Sequence, residues 1–491
     1  MFLSGRLLEC RADSNIDRQL QWKNQVNELL YGYIAVEERD EFFSCHRRTE
    51  QTRKDKICRE KSLNPFLQGC IDLERQLMSS SELPSWLVAA RNSQQQIDTA
   101  VRILSARESQ RSVARNASRA QAELATATSS RSPFSFLGLK NKNTQTPNHV
   151  EHYSIAAGSH EAHNSMNRYM DVTPYDRTRV VVHNGSVAHG GDQKGEFQGR
   201  YLNASWVLEK AGRKWWIATQ APLRQTAHAF LSVMLQPALN PPGAVMDASS
   251  TQQKTRVRTV VQLTRNVESG RKKADAYFPT EVGKSFKSSP EEGCDAPQLK
   301  VTLQATRSIP EAHCIESTLL ITPVLSTPVT GTGNTGVVFK HMLYTSWPDH
   351  GVPEPEDRES LLAFIHLVDQ ANRDTSNCPV HPHSPTNHAC TETDPDPPIM
   401  IGCSAGIGRT GSFIALSSLL RKYGFLPPAT QPASPSIIPA SPLGPLPDFL
   451  KDDEVAQEID SLREQRPGMV QRPEQAMLVY EVLADAFEQK P

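Results

Sequence analysis

The chain has 491 residues and a formal net charge of −1, so its overall charge does not indicate nucleic acid as a partner. Its nine cysteines include no Cys-x-x-Cys pair, which argues against a disulfide framework and favours a reducing compartment. No apolar run reaches the about 20 residues needed to span a bilayer. We therefore expect a protein of the cytoplasm, with the nucleus as the alternative, and no nucleic-acid or membrane partner.

The first third of the chain carries mixed charge and few defensible motifs. Residues 1–80 form an extension of unknown role, in which the apolar spacing at 16–34 is typical of one amphipathic helix. A second helical pattern runs over 83–104. Residues 105–165 are rich in Ser, Arg, Ala and Thr, and this composition predicts a flexible basic insertion.

From residue 167 the apolar pattern predicts alternating strands and helices. Strands are expected at 179–183, 200–207, 215–222, 259–263, 299–305, 315–325, 337–345 and 399–401. Helices are expected at 226–235, 361–371, 410–423, 451–465 and 473–488. Low-complexity, disordered insertions are expected at 184–199, 372–397 and 424–448. The second insertion contains Cys378, Cys390 and several histidines, but its Pro- and Thr-rich surroundings favour disorder over a metal site.

A short loop between a buried strand and a helix carries the strongest chemical signal. It runs from Cys403 to Arg409 and reads Cys-Ser-Ala-Gly-Ile-Gly-Arg. Successive backbone N–H groups at a helix N-terminus form an anion site, and an arginine can hold two phosphate oxygens at once. The same field lowers a thiol pKa from about 8.5. Cys403 is therefore a candidate nucleophile aimed at phosphorus.

Five motifs, in order, resemble those of the phosphotyrosine-specific protein tyrosine phosphatases. They are Asn-Arg-Tyr followed by Pro-Tyr-Asp-x-Thr-Arg-Val, Tyr-Leu-Asn-Ala-Ser, Ala-Thr-Gln-Ala-Pro, Trp-Pro-Asp-x-Gly-Val-Pro and the Cys loop with its downstream glutamine segment. The resemblance implies an α/β fold, a highly twisted mixed β-sheet flanked by helices. The catalytic domain would span 83–490 with its core at 167–488. The proline-rich insertions suggest a non-receptor, fungal-like member.

The resemblance also implies a role for each motif. Cys403 would attack phosphotyrosine, and Arg409 would hold the phosphate. Asp349 would protonate the leaving group and then act as base. Gln471 would position the water that hydrolyses the cysteinyl phosphate.

Further residues of the site follow from the same resemblance. Tyr169 would line a deep pocket that selects phosphotyrosine, Asp171 would hold the substrate backbone, and Lys273 and Gln475 would assist binding. The phosphate would lie against the loop residues, which are Ser404, Ala405, Gly406, Ile407 and Gly408. Supporting roles fall to Thr410, which would hydrogen-bond the thiolate, and to Trp347, Glu268 and Arg463.

One residue departs from the family pattern. The family usually has His before the nucleophilic cysteine, whereas this chain has Gly402. We therefore expect the pKa of Cys403 to be higher than in typical relatives. The alternatives are a catalytically weak pseudophosphatase that only binds phosphotyrosine, or a scaffold. No metal or cofactor is expected, because Arg409 and the backbone amides supply the positive charge. The substrates would be phosphotyrosine proteins, with a mitogen-activated protein kinase as one candidate.

Overall fold

The computed structural model describes residues 83–129, 147–182, 199–236, 256–324, 336–349, 351–376 and 394–489. Within them lie eleven strands, numbered in chain order. They are β1 (Arg179–Val182), β2 (Arg200–Leu208), β3 (Trp215–Gln220), β4 (Thr259–Gln262), β5 (Val267–Glu268), β6 (Arg271–Lys272), β7 (Ser285–Ser288), β8 (Gln298–Ile309), β9 (Cys314–Val324), β10 (Val337–Tyr344) and β11 (Ile399–Cys403).

Nine of these strands form one mixed sheet in the order β1-β2-β3-β11-β4-β10-β9-β8-β7. The central strand β11 is parallel to β3 and β4, and β4 is parallel to β10. The outer pairs are antiparallel. The predicted mixed sheet is therefore confirmed. The short strands β5 to β7, which pattern analysis did not predict, are largely exposed and so lack a clear apolar signal.

Helices cover both faces of the sheet. They are α1 (Ser85–Arg91), α2 (Gln94–Ser129), α3 (Pro147–His152), α4 (Ala156–Ser159), α5 (Ala227–Leu235), α6 (Arg358–Arg373), α7 (Gly408–Lys422), α8 (Glu454–Gln465) and α9 (Pro473–Glu488). Side chains of β11 alternate between the two cores, as the pleat of a strand requires. Ile399 and Ile401 pack with α6, α7 and α9, whereas Met400 packs with α5. This double burial fixes the end of β11 from both sides.

The prediction of a flexible insertion at 105–165 is wrong for the residues that the structure describes there. Residues 105–129 continue α2, and 147–165 contain α3, α4 and a 3-10 turn. Arg111 is fully buried, and its Nη2 lies 2.6 Å from Asp460 Oδ1 and 2.6 Å from Glu464 Oε1 of α8. Composition predicted a flexible segment because the carboxylate partners of Arg111 lie about 350 residues further along the chain and cannot be read from the local sequence.

The predicted insertions at 372–397 and 424–448 are also partly ordered. Asn372 and Arg373 belong to α6. Segment 424–448 contains no strand or α-helix. It holds the 3-10 turn Pro435–Ile437 and ends where a second one, Asp448–Leu450, begins, and it is attached to the domain. Arg107 donates hydrogen bonds to the carbonyls of Leu443 and Gly444, and Leu446 is buried.

Several predictions lie outside the described residues. They concern the extension 1–80, most of the insertion 184–199, and Cys378 and Cys390. Within the described part of the chain, no helix is both long and apolar enough to cross a bilayer.

The buried charge cluster between α2 and α8 generates a stability prediction. Replacing Arg111 by Met should leave Asp460 and Glu464 short of their buried partner and lower the free energy of unfolding by about 3–5 kcal/mol. Urea unfolding of the full chain measures this. The exposed Arg102 on the same helix provides the control, since R102M should change stability by less than about 0.5 kcal/mol. Equal stabilities for R111M and R102M would contradict the prediction.

Candidate active site

The loop from Cys403 to Arg409, here called the phosphate loop, joins β11 to α7. Carbonyl groups of this loop accept hydrogen bonds from donors on its outer side. The Ala221 N–H donates to the carbonyl of Cys403 at 2.9 Å, and the Val470 N–H donates to the carbonyl of Ile407 at 3.1 Å. A carbonyl that points outward leaves the concave side of a tight loop to N–H groups. The phosphate loop therefore has the form of an anion site.

A buried arginine holds the remaining part of this loop. Arg466 donates from Nε to the carbonyl of Gly406 at 2.8 Å and from Nη2 to that of Ala405 at 3.1 Å. The same guanidinium binds Asn203 Oδ1 and Ser205 Oγ of β2. Burial lowers the pKa of Arg466 to about 10, so it stays charged at neutral pH. Arg466 thus ties the phosphate loop to the sheet.

Gly406 is required by the shape of the loop. Its φ is +71°, a conformation that residues with a Cβ rarely adopt. A Cβ at this position would also lie 2.1 Å from the carbonyl oxygen of Thr219 in β3. The loop can therefore pass this close to β3 only with glycine here.

Cys403 lies at the base of the loop and is 6% exposed. Burial alone would raise the pKa of its thiol, but the Thr410 hydroxyl, the charge of Arg409 and the N–H groups of Thr410 and Ile407 outweigh it. The net effect holds the pKa below its ordinary value. The Thr410 hydroxyl has no oxygen or nitrogen partner among the described residues, which leaves it available to the sulfur. Cys403 is thus poised to be a thiolate.

Arg409 is held in place by three contacts. Its Nη1 and Nη2 bind the two carboxylate oxygens of Glu268 at 2.8 Å and 2.9 Å. Nη1 also donates to the carbonyl of Leu263 at 2.9 Å, and Nη2 donates to that of Pro348 at 2.8 Å. Glu268 lies on the hairpin formed by β5 and β6. The guanidinium is therefore fixed in orientation and linked to the loop that carries Asp349.

That loop, described over residues 345–349 and 351–357, is here called the acid loop. Asp349 Oδ1 lies 2.5 Å from Lys273 Nζ and 3.8 Å from Arg409 Nη2. The hydrogen bond from Lys273 is the largest of the effects that lower the pKa of Asp349. Trp347 is buried and packs edge-on against Tyr344 at the end of β10. The acid loop thus lies against the phosphate loop, with its carboxylate on the same side as Arg409.

Tyr169 stands at the mouth of the site. Its hydroxyl is 2.9 Å from Ser404 Oγ, which donates to the carbonyl of Lys273 at 2.9 Å. Gln220 holds the neighbouring backbone by accepting a hydrogen bond from the Arg168 N–H at 2.8 Å. Asp171, two residues beyond Tyr169, is exposed. An aromatic ring and a carboxylate therefore border the entrance.

Two glutamines lie near the start of α9 in different environments. Gln471 belongs to residues 467–472 between α8 and α9, here called the glutamine segment, and Gln475 lies in the first turn of α9. Gln471 is exposed and follows Val470, which is bonded to the phosphate loop. Gln475 is buried, and its Oε1 accepts a hydrogen bond from the Arg472 N–H at 3.1 Å. Arg463 donates to the carbonyls of Met469 and Val470 at 2.8 Å and 2.7 Å. Arg463 thus fixes this segment, whereas the substrate-binding role of Gln475 stays a prediction.

The structure brings most of the predicted residues together around Cys403. Among the described residues, no group of three or more His, Cys, Asp or Glu side chains could hold a metal ion. A thiol of lowered pKa, an oriented arginine and a carboxylate beside an anion site are the groups that phosphoryl transfer to sulfur needs.

Comparison with known proteins agrees with this chemistry. A family model described as protein-tyrosine phosphatase matches residues 163–240 and 251–424, which is more than half of the chain. The chain belongs to the protein-tyrosine phosphatase family.

Individual relatives within this family share less than a third of their aligned residues with the chain. The chain is 28% identical over 256 residues to a receptor-type tyrosine-protein phosphatase eta of Gallus gallus and 29% identical over 258 residues to the tyrosine phosphatase H2 of Microplitis demolitor bracovirus. A Lar-like tyrosine-protein phosphatase of Caenorhabditis elegans is 26% identical over 336 residues. These matches span 52%, 52% and 68% of this chain, but only 14%, 62% and 11% of the respective relatives.

Sequence analysis did not single out Arg466, the arginine that holds the phosphate loop of this phosphatase domain. It directly follows α8, three residues after Arg463, and pattern alone does not say which arginine reaches which loop. The polar side chains of the Tyr-Leu-Asn-Ala-Ser motif were a usable signal. Asn203 and Ser205 are fully buried, and buried polar groups need partners.

Gly402, the departure from the family pattern, lies beside a small cavity. The cavity has a volume of about 10 Å³ and is lined by residues that include Tyr277, Gln262, Gly402 and Cys403. This is room for about one water molecule. A Cβ on Gly402 would lie 2.6 Å from the Thr219 carbonyl oxygen. In this chain β11 therefore packs too close to β3 for a side chain at position 402.

The pKa of Cys403 can be tested through Thr410. Replacing Thr410 by Val removes the hydroxyl that stabilises the thiolate, so the pKa of Cys403 should rise and the inflection of iodoacetate alkylation rate against pH should move upward. The control is S417A, another buried hydroxyl on α7, which should leave the inflection in place. An unchanged inflection in T410V would contradict the assigned contact. The comparison of this pKa with that of relatives stays a prediction.

A second prediction concerns the close packing at Gly402. G402A should lower the free energy of unfolding by about 1–3 kcal/mol, because the added Cβ forces β11 away from β3. It should also reduce phosphatase activity, since Cys403 is the next residue. Urea unfolding and turnover of a phosphotyrosine peptide measure the two effects. The substitution A415G on α7 adds no atom and serves as a control for the peptide assay, where activity should persist. A G402A protein as stable as wild type would contradict this interpretation.

Proposed function

We propose that this chain hydrolyses phosphotyrosine in proteins through a cysteinyl-phosphate intermediate. The observation that carries the proposal is the position of Arg409 between the two reacting groups. It contributes to lowering the pKa of Cys403, and it also hydrogen-bonds the Pro348 carbonyl beside Asp349. One residue thus connects nucleophile, phosphate site and acid.

The first step transfers the phosphoryl group to sulfur. The Cys403 thiolate attacks phosphorus, and the bond to the phenolic oxygen of tyrosine breaks. Arg409 and the N–H groups of the phosphate loop stabilise the charge on the three equatorial oxygens. Asp349 gives its proton to the departing oxygen. Lys273 lowers the pKa of Asp349, whereas a nearby phosphate dianion favours the protonated acid.

The second step regenerates the enzyme. Water attacks the cysteinyl phosphate, Asp349 takes its proton, and the thiolate leaves with inorganic phosphate as the other product. We assign the positioning of this water to Gln471. Its exposed side chain and the bond between Val470 and the phosphate loop support this assignment.

We assign the choice of tyrosine to Tyr169, whose ring borders the entrance and whose hydroxyl contacts Ser404. A long aryl phosphate can reach Cys403 past this ring, whereas phosphoserine is too short. Asp171, exposed beside it, would bind the backbone of the substrate peptide.

We further propose a role in signalling, with a mitogen-activated protein kinase as one candidate substrate. The proline-rich segments support the further assignment to a non-receptor, fungal-type member.

Gly402 supports a second candidate function, a pseudophosphatase that binds phosphotyrosine without turning it over. Turnover of a phosphotyrosine peptide distinguishes an active phosphatase from a pseudophosphatase. Full-length wild-type protein should hydrolyse a phosphotyrosine peptide, C403S should not, and the matching phosphoserine peptide should resist both. Binding of the phosphotyrosine peptide without turnover by wild type would favour the pseudophosphatase.

The role of Asp349 gives the most specific test. D349A should lower kcat by about 10²–10⁴-fold with little change in KM, because the leaving phenolate loses its proton donor. The same variant should retain phosphorylated substrates from an extract, which identifies them. E356Q, an exposed acid in the same loop, is the matched control and should turn over at the wild-type rate. A D349A enzyme that keeps wild-type kcat would remove Asp349 from the mechanism.

A further inference from the structure

Both ends of the acid loop contact a single residue in a connection between two strands. His313 lies in the connection between β8 and β9, directly before β9 begins at Cys314. Thr345 begins the acid loop, directly after β10, and Asp357 ends it, directly before α6. These three residues come from separate segments and meet about the base of the loop.

The first contact holds the start of the loop. The carbonyl of His313 accepts hydrogen bonds from the Thr345 N–H at 2.9 Å and from Thr345 Oγ1 at 2.9 Å. Thr345 lies four residues before Asp349. These two hydrogen bonds therefore set the direction in which the chain leaves β10.

The second contact holds the end of the loop. His313 Nδ1 lies 3.5 Å from Asp357 Oδ1. The backbone carbonyl of Asp357 in turn accepts a hydrogen bond from Ser360 Oγ of α6 at 2.7 Å. His313 therefore bridges the point where the loop leaves the sheet and the point where it enters α6.

The backbone of His313 is adapted to this bridge. Its φ and ψ are 41° and 42°, in the left-handed region that residues other than glycine rarely enter. The preceding 3-10 turn, Pro310–Ala312, is anchored by Ala312 in the main core. A strained residue persists only where its surroundings determine it. Here that conformation turns the carbonyl towards Thr345 and the imidazole towards Asp357.

We propose that His313 is a positioning residue for the acid loop, which holds Thr345 and Asp357 so that Asp349 can deliver its proton to the leaving oxygen. This inference rests on the proposed phosphatase function. His313 touches neither Cys403 nor the phosphate loop in the contacts that the structure describes. Its effect should therefore appear only in the step that needs the acid, not in attack by the thiolate.

The test uses two esters that differ in how much they need an acid. Phenyl phosphate releases a phenol whose pKa is about 10, as in tyrosine, whereas 2,4-dinitrophenyl phosphate releases a far more acidic phenol that departs without a proton. The variants are H313N and D357N in the full chain. Asparagine tolerates the left-handed backbone, so H313N removes the imidazole and keeps the turn.

We expect kcat/KM for phenyl phosphate to fall roughly 3- to 10-fold in each variant, since a polar contact that is partly open to solvent is weak. With 2,4-dinitrophenyl phosphate, kcat/KM should stay within about twofold of wild type. The double variant should lose no more than either single one, because the two residues act through one contact. E311Q, an exposed acid in the same connection, should leave both values unchanged.

Two results would overturn the inference. One is a kcat/KM for phenyl phosphate that stays at the wild-type value in H313N and D357N, and the other is an equal loss with both esters, which indicates general damage to the fold. Circular dichroism and urea unfolding of each variant report such damage separately. A wild-type protein that hydrolyses neither ester would instead remove the proposed function, and the inference with it.

Discussion

The site depends on one constraint, which is that the carbonyl groups of the phosphate loop must accept hydrogen bonds from neighbouring segments on its outer side. An anion site made of N–H groups exists only while the carbonyls point away from it, and buried carbonyls need donors. Arg466, the end of β3 and the segment before α9 supply those donors. The sheet, α8 and the glutamine segment are thereby joined at a single loop. A change in any of them would alter the anion site without touching a catalytic group.

Arg409 joins the phosphate loop to the hairpin that carries Glu268 and to the acid loop. Glu268 holds it bidentately on one edge, and the Pro348 carbonyl accepts from it on the other. The carboxylate of Asp349 lies between Lys273 and this guanidinium. An acid must release its proton and recover it within one cycle, and cationic neighbours alone would keep it ionised. In the proposed mechanism an incoming phosphate changes this balance and favours the protonated form of Asp349.

The N-terminal helices belong to the same structure. Arg463 binds the glutamine segment with one edge of its guanidinium and donates from Nη1 to the Leu104 carbonyl of α2 at 2.8 Å. Further along α2, Arg111 pairs with α8. Burial alone would raise the pKa of Glu464, but the hydrogen bond with His152 and the charge of Arg111 lower it to about 2. This ion pair therefore persists down to acidic pH, and α2 supports the segment that carries Gln471.

Sequence alone determined the family motifs and the main strands and helices from residue 167 onward. Strong apolar alternation and a short chemical signature are local properties, so they can be recognised one segment at a time. The candidate residues around Cys403 were predictable for the same reason, because each motif carries its own chemistry.

Only the tertiary structure decided the rest. Arg111 and Arg466 looked like ordinary charged residues, and the structure buries both against partners that are distant in sequence. It also decided that Gly402 faces the Thr219 carbonyl and that His313 meets both ends of the acid loop. The reason is physical. A buried charge or a strained backbone is stabilised by contacts between distant segments, and no local pattern encodes which segments will meet.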